Sequence, residues 1–251
     1  MRQKTIIGNW KTYLNYSQAE EYFQKIKNSH ISISTKEIIL LPPFCYLDLA
    51  KRLLGNTVIK IGSQNIYWEN GGEYTGEIIP KMVKEFGDYA LVGHSKRREI
   101  FNETDKIVNQ KIKIALLSKL NVIMCFGEME KNSQKDVFET ILSQVENCLE
   151  NIGIEDAKKI VFVYEPAWAI TNNNHSSPAS GKLANEICAR IRILLSNLYS
   201  KDYAQNARIL YGGSINSQNY QEYNLSDIDG LLIGKASTDS NQFIEIIKNY
   251  K

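Results

Sequence analysis

Five short stretches carry the side chains that could do chemistry. Gly8-Asn9-Trp10-Lys11 joins an amide to an ammonium, Gly93-His94-Ser95-Lys96-Arg97-Arg98 carries an imidazole, and Tyr164-Glu165-Pro166-Ala167-Trp168-Ala169-Ile170 carries a carboxylate. Tyr211-Gly212-Gly213-Ser214 and Gly234-Lys235-Ala236-Ser237 are glycine-containing turns of the kind that lets backbone N–H groups close on an anion. The set suits enolisation of a phosphorylated carbonyl compound. Taking a proton from the carbon next to a carbonyl needs a poised carboxylate, and it needs donors where enediolate charge develops. Glu165, which follows the apolar run Ile160 to Val163 and is fixed by Pro166, is the candidate base. His94 is the candidate electrophile, acting as a neutral imidazole if the helix that begins near Ser95 turns its positive end to the ring. Lys11 adds positive charge beside the oxygens, and Asn9 adds a neutral donor. Taken singly, such a glutamate is more often solvated or paired, such a lysine plain surface and a Gly-Gly pair a tight turn. Only their joint placement carries the reading.

The elements that must bring them together are short β-branched runs alternating with amphipathic stretches, the pattern of repeated βα units. Eight pairs can be counted. The expected strands are Thr5 to Gly8, Glu37 to Leu41, Val58 to Gly62, Tyr89 to Gly93, Asn121 to Phe126, Ile160 to Tyr164, Arg208 to Tyr211 and Gly230 to Ile233. Most are nearly continuous apolar runs, as strands buried on both faces require. Val137, Ile141, Val145, Cys148 and Leu149 recur at helical spacing, as do Leu183, Ile187, Ile191, Leu194 and Leu195. No linker divides the chain, which predicts one domain over residues 1–251. Eight units in 251 residues fit a closed (β/α)8 barrel, and periodicity alone also allows a doubly wound open sheet. The polar stretches decide for the barrel, because all five fall just past strand ends that a barrel gathers around one mouth. Pro166 to Ser180 is a long connection without apolar periodicity, and beside a proton-transfer site it reads as a closing lid.

Composition sets the outer limits. With 43% hydrophobic and 23% charged residues the chain is globular, and 30 Lys and Arg against 28 Asp and Glu are interspersed. This gives no support to a nucleic-acid or polybasic membrane role. No run approaches the ~18 apolar residues of a membrane-spanning helix and the start is too short in apolar residues for a secretion signal, so a cytoplasmic location is expected. Cys45, Cys125, Cys148 and Cys188 are far apart and there are only three histidines, so reduced, mostly buried thiols and no metal are expected.

In its motifs the sequence resembles the triosephosphate isomerase family over essentially its whole length. In order these are GNWK, SQN at Ser63 to Asn65, YTGE at Tyr74 to Glu77, VGHSKRR, CFGE at Cys125 to Glu128, YEPAWAI, ILYGGS and DGLLIG. The resemblance implies an α/β fold of the single (β/α)8 TIM-barrel type. It also implies interconversion of dihydroxyacetone phosphate and D-glyceraldehyde 3-phosphate without metal or organic cofactor. Residue by residue, Glu165 matches the family's base and His94 its electrophile, Lys11 and Asn9 the substrate-contacting pair. Thr171 in the lid, Ser214, Gly234 and Lys235 match the phosphate site. The resemblance further implies a homodimer in which the loop at Gly71 to Glu77 places Thr75 near Asn9 and Lys11 of the other copy.

Four departures stand out. The family's lid reads A-I-G-T-G-K, whereas this chain has Ala169-Ile170-Thr171-Asn172-Asn173-Asn174-His175. Gly234-Lys235 stands for a Gly-Gly pair, Lys96 for an acidic residue, and Glu73 for a small one. One reading is an ordinary isomerase with drifted loops, in which Thr171, Asn173 and Lys235 supply backbone N–H groups. The other is a pocket rebuilt for a four-carbon ketose phosphate such as erythrulose phosphate, since differential contacts set specificity. The first is preferred. A third, an inactive barrel that binds a phosphorylated metabolite, predicts decay of the acid–base pair, which is intact. His30 and His175 read as surface positions, and His175 as a point where lid closure could sense pH.

Overall fold

The computed structural model describes residues 2–29, 31, 36–130, 134–170 and 178–251. Eight parallel strands close into a barrel in sequence order. They are β1 (Lys4–Asn9), β2 (Lys36–Leu41), β3 (Ile59–Ser63), β4 (Tyr89–Val92), β5 (Asn121–Phe126), β6 (Ile160–Tyr164), β7 (Arg208–Tyr211) and β8 (Gly230–Ile233). Each lies within a residue of its expected bounds. The helices outside are α1 (Tyr16–Asn28), α2 (Leu47–Leu54), α3 (Pro80–Lys84), α4 (Ser95–Phe101), α5 (Asp105–Leu117), α6 (Gln134–Cys148), α7 (Ile154–Ala157), α8 (Gly181–Leu198), α9 (Lys201–Asn206) and α10 (Ser240–Asn249).

Strand side chains alternate between two apolar layers, because a strand repeats every two residues. Ile7, Ile39, Leu41, Leu91, Ile123, Cys125, Val161, Val163, Leu210 and Leu232 form the cluster inside the barrel. Their neighbours Ile6, Ile38, Leu40, Val92, Val122, Met124, Phe162, Ile209 and Ile233 face the helices and join the larger core. Both faces being buried explains why the strands read as continuous apolar runs. The helices start where the sequence can cap them. Asn15 and Gln18 form a reciprocal capping box on α1 at 3.0 Å, Ser180 caps α8, and Asp239 caps α10.

The helical layer departs from eight equal units. After β7 the described chain forms only a 3-10 turn, Tyr220–Tyr223, and α3 after β3 is five residues long. The segment between β7 and β8 is rich in Ser, Asn and Gln and lacks an apolar stripe, so no full helix could cover the barrel there. Its tyrosines fill the space instead: Tyr223 stacks on Tyr211 at 4.2 Å and Tyr250 donates to the Tyr223 carbonyl at 2.9 Å. Three of the four cysteines are buried, and Cys45 is exposed.

Candidate active site

The parity that fills the barrel also delivers its polar end. Two residues beyond the inward-facing Ile7, Val163 and Leu232 stand Asn9, Glu165 and Gly234, which therefore top the barrel on its C-terminal side. His94 has the opposite parity and reaches the site by another device. Gly93 has φ +71°, a left-handed turn that redirects the chain at the end of β4. A Cβ there would lie 2.7 Å from the Cys125 carbonyl oxygen, so the turn needs glycine. Arg98 secures it, donating from Nε to the Gly93 carbonyl at 2.9 Å and from Nη1 to Asp105 at 2.6 Å.

His94 and Glu165 meet. Nε2 lies 3.1 Å from Oε1, with the imidazole 6% and the carboxylate 2% exposed. His94 is the N-cap of α4, and its Nδ1 accepts the Lys96 N–H at 3.1 Å. That acceptor role puts the ring proton on Nε2, which has no aligned hydrogen-bond partner among the described residues. Oε2 of Glu165 accepts the Ser95 N–H at 2.9 Å. Burial alone would raise the Glu165 carboxyl; the adjacent imidazole, the Ser95 N–H and Lys11 outweigh it and hold the group below its ordinary value of 4.5.

Lys11 stands on strained backbone, with φ +51° for a residue that carries a side chain. The strain is held from both sides. Its N–H donates to Asn9 Oδ1 at 3.2 Å, and Gln64 Nε2 donates to the Lys11 carbonyl at 2.8 Å and to the Leu41 carbonyl at 2.9 Å. Sequence reasoning gave Gln64 no role, yet it follows Gly62 by two residues, and strand parity points it to the same end of the barrel. Trp10, fully buried and stacked on Phe23 at 4.8 Å, anchors the connection between Asn9 and Lys11.

A cavity of about 620 Å³ opens above these groups, lined by Lys11, Glu165, Gly212, Ser214, Gly234 and Lys235 among others. Asn9 and His94 are buried and are not among its lining residues. The Lys11 ammonium rests against Gly234, where an added Cβ would stand 3.6 Å from Nζ. Ser214 gives both its N–H (3.2 Å) and its hydroxyl (2.8 Å) to the Ala169 carbonyl. Thr171 and His175 lie outside the described residues, as does His30. Both flanks of the expected lid are tethered. Glu128, buried, accepts from Trp168 Nε1 at 2.6 Å and Tyr164 Oη at 3.0 Å, while Ala179 donates to Tyr211 Oη at 3.1 Å. Burial raises the Glu128 carboxyl, and its two donors oppose the rise. Thr75 is exposed on the loop after β3 and does not line the cavity. Lys96 pairs with Glu99 at 2.5 Å rather than entering the cavity. Among the described residues no three His, Cys, Asp or Glu side chains gather as metal ligands, and no helix is long and apolar enough to cross a membrane.

Acid–base side chains grouped with glycine-containing turns at the C-terminal rim of a closed parallel barrel define a (β/α)8-barrel enzyme. A family model described as Triosephosphate isomerase matches residues 4–250. The chain is 40% identical to the triosephosphate isomerase of Dictyoglomus turgidum, over 99% of this chain and 100% of that protein. It is 41% identical to that of Dictyoglomus thermophilum, with the same coverage, and 41% identical to that of Alkaliphilus metalliredigens, over 98% and 99%. The chain belongs to the triosephosphate isomerase family.

Proposed function

We propose that the chain interconverts dihydroxyacetone phosphate and D-glyceraldehyde 3-phosphate through an enediolate. The observation that carries this reading is the buried pair at the barrel mouth: a carboxylate, and 3.1 Å away an imidazole whose available proton is on Nε2. Glu165 takes the proton from the carbon next to the carbonyl and returns it to the neighbouring carbon, while the carbonyl oxygen gains a proton and the neighbouring hydroxyl oxygen loses one. His94 donates from Nε2 to the oxygens where charge develops, and Lys11 and Asn9 stabilise the same charge. The phosphoryl group is taken up at the turn of Gly234 and Lys235; Ser214, whose N–H and hydroxyl are given to the Ala169 carbonyl in this structure, and Thr171 belong to the same subsite by their place in the sequence. The proton leaves carbon and reaches carbon, so the reaction needs no redox partner.

In Glu165→Gln the carboxylate is replaced by an amide of the same shape. Turnover is expected to fall on the order of a thousandfold while inorganic phosphate still binds. Unchanged turnover removes the mechanism. The intact acid–base pair speaks against a barrel that only binds a metabolite. The relatives' names favour the three-carbon substrate over erythrulose phosphate. Comparing kcat/KM on glyceraldehyde 3-phosphate and on both enantiomers of erythrulose phosphate decides between them. A preference for the four-carbon compound reverses the choice. We also infer a cytoplasmic homodimer, with Thr75 of one copy beside Asn9 and Lys11 of the other; the exposed Tyr74, Thr75 and Met82 offer the surface for it.

A further inference from the structure

Among the described residues, the charged ones that line the cavity are Lys11, Glu165, Lys235 and Asp239. The two carboxylates are committed elsewhere. Glu165 is buried against His94 and Ser95, and Asp239 caps α10, accepting the N–H groups of Asn241 (2.9 Å) and Gln242 (3.2 Å) and Gln242 Nε2 (3.2 Å). The two ammonium groups are not committed. Lys25, Lys84, Lys96, Lys158 and Lys159 each pair with a carboxylate one turn away. Among the described residues no carboxylate lies within ion-pair distance of Lys11 or Lys235.

The two lysines flank one turn. Lys11 reaches Gly234 from inside the barrel, and Lys235 is the next residue, exposed at the cavity rim. The backbone that carries Lys235 is fixed, since Ser237 donates its N–H to the Gly234 carbonyl at 2.9 Å and Thr238 donates its hydroxyl to the Lys235 carbonyl at 2.8 Å. Lys11 from within the barrel and Lys235 on the rim thus bring two cationic residues to this one turn.

We propose that the Lys235 side chain is a specificity-determining residue: a second cation that draws in and selects substrates bearing a doubly charged phosphoryl group. The proposal rests on the isomerase reading above and extends it from the turn's N–H groups to a side chain. An exposed cation acts through water, so its influence is modest and screened by salt. It is also directed at the part of the substrate that does not react. The bound substrate and its enediolate feel it equally, so it bears on KM and not on kcat.

The test compares wild type, Lys235→Met and Lys235→Arg on D-glyceraldehyde 3-phosphate and on uncharged D-glyceraldehyde, from about 0.01 M to about 0.3 M ionic strength. In Lys235→Met, kcat/KM for the phosphorylated aldose is expected to drop roughly three- to tenfold at low salt, through KM, with the gap closing as salt rises. The loss on the neutral aldose is expected to be smaller, and Lys235→Arg to behave as wild type. Equal losses on the two aldoses at every ionic strength, or no loss at low salt, overturn the proposal. A wild-type chain that does not turn over triose phosphate sinks the isomerase reading alone. Lys235 is then judged by calorimetry with inorganic phosphate, whose affinity at low salt falls by the same factor in Lys235→Met if the proposal holds and is unchanged if it does not.

Discussion

Glu165 shows how a buried carboxylate can stay ionised. Once water is excluded its oxygens need partners: Oε2 accepts the Ser95 N–H, and Oε1 lies 3.1 Å from His94 Nε2. Since the folded group titrates below 4.5, it remains a base throughout the neutral and mildly acidic range. The Glu165 carboxyl is therefore expected to add no bend to kcat/KM for neutral D-glyceraldehyde between pH 8 and about pH 5; with the phosphorylated substrate a bend is expected near pH 6, where a phosphoryl group takes up its second proton. A bend near 6 on the neutral substrate would assign that titration to the protein. At this scale the sequence was informative where a residue acts by its own chemistry. Glu165, His94, Lys11 and Asn9 are chemically distinctive and stand at strand ends. Gln64 and Glu128 fall within the motifs SQN and CFGE but received no role, because each acts by holding something distant in sequence: the Lys11 backbone in one case, the Trp168 indole in the other. No local pattern records such a partner, although strand parity marks Gln64.

At the scale of elements, the turn after β4 matters most. Leu91 faces inward, so unbroken alternation would aim His94 at the helices; the left-handed Gly93 redirects it. Gly93→Ala forces a side chain into that conformation against the Cys125 carbonyl. It is expected to cost roughly 1–3 kcal/mol in denaturant unfolding and to lower kcat more than it raises KM, by displacing the electrophile. Wild-type stability in the variant would show that the turn tolerates a Cβ. The strands were legible because they are apolar on both faces, and the unit after β7 was not, because tyrosines there do by size what a helical stripe does by repetition. The departure at Lys96 is resolved locally, in a pair with Glu99 on α4.

For the whole molecule, the exposed loop with Tyr74 and Thr75 predicts a two-subunit species in sedimentation at micromolar concentration. A stable, fully active single subunit would contradict the shared site. A two-fold pairing would use this surface on both copies and complete both mouths at once.

The inward row is polar at its far end too. Beneath the aliphatic layers, Glu37 accepts from Tyr89 Oη at 2.8 Å and from Arg208 Nη1, which also donates to Thr5 Oγ1 at 3.2 Å. Burial and the neighbouring carboxylate push the Tyr89 hydroxyl up to about 12, so it stays a donor at any physiological pH. This knot seals the base of the barrel with ionic mortar, while the opposite end holds ions for turnover. Foundation and workbench are thus separable: Glu37→Gln should cost about 2 kcal/mol of unfolding free energy yet leave kcat/KM at room temperature alone. Loss of turnover without loss of stability would mean that the two ends communicate through the packed aliphatic layers between them.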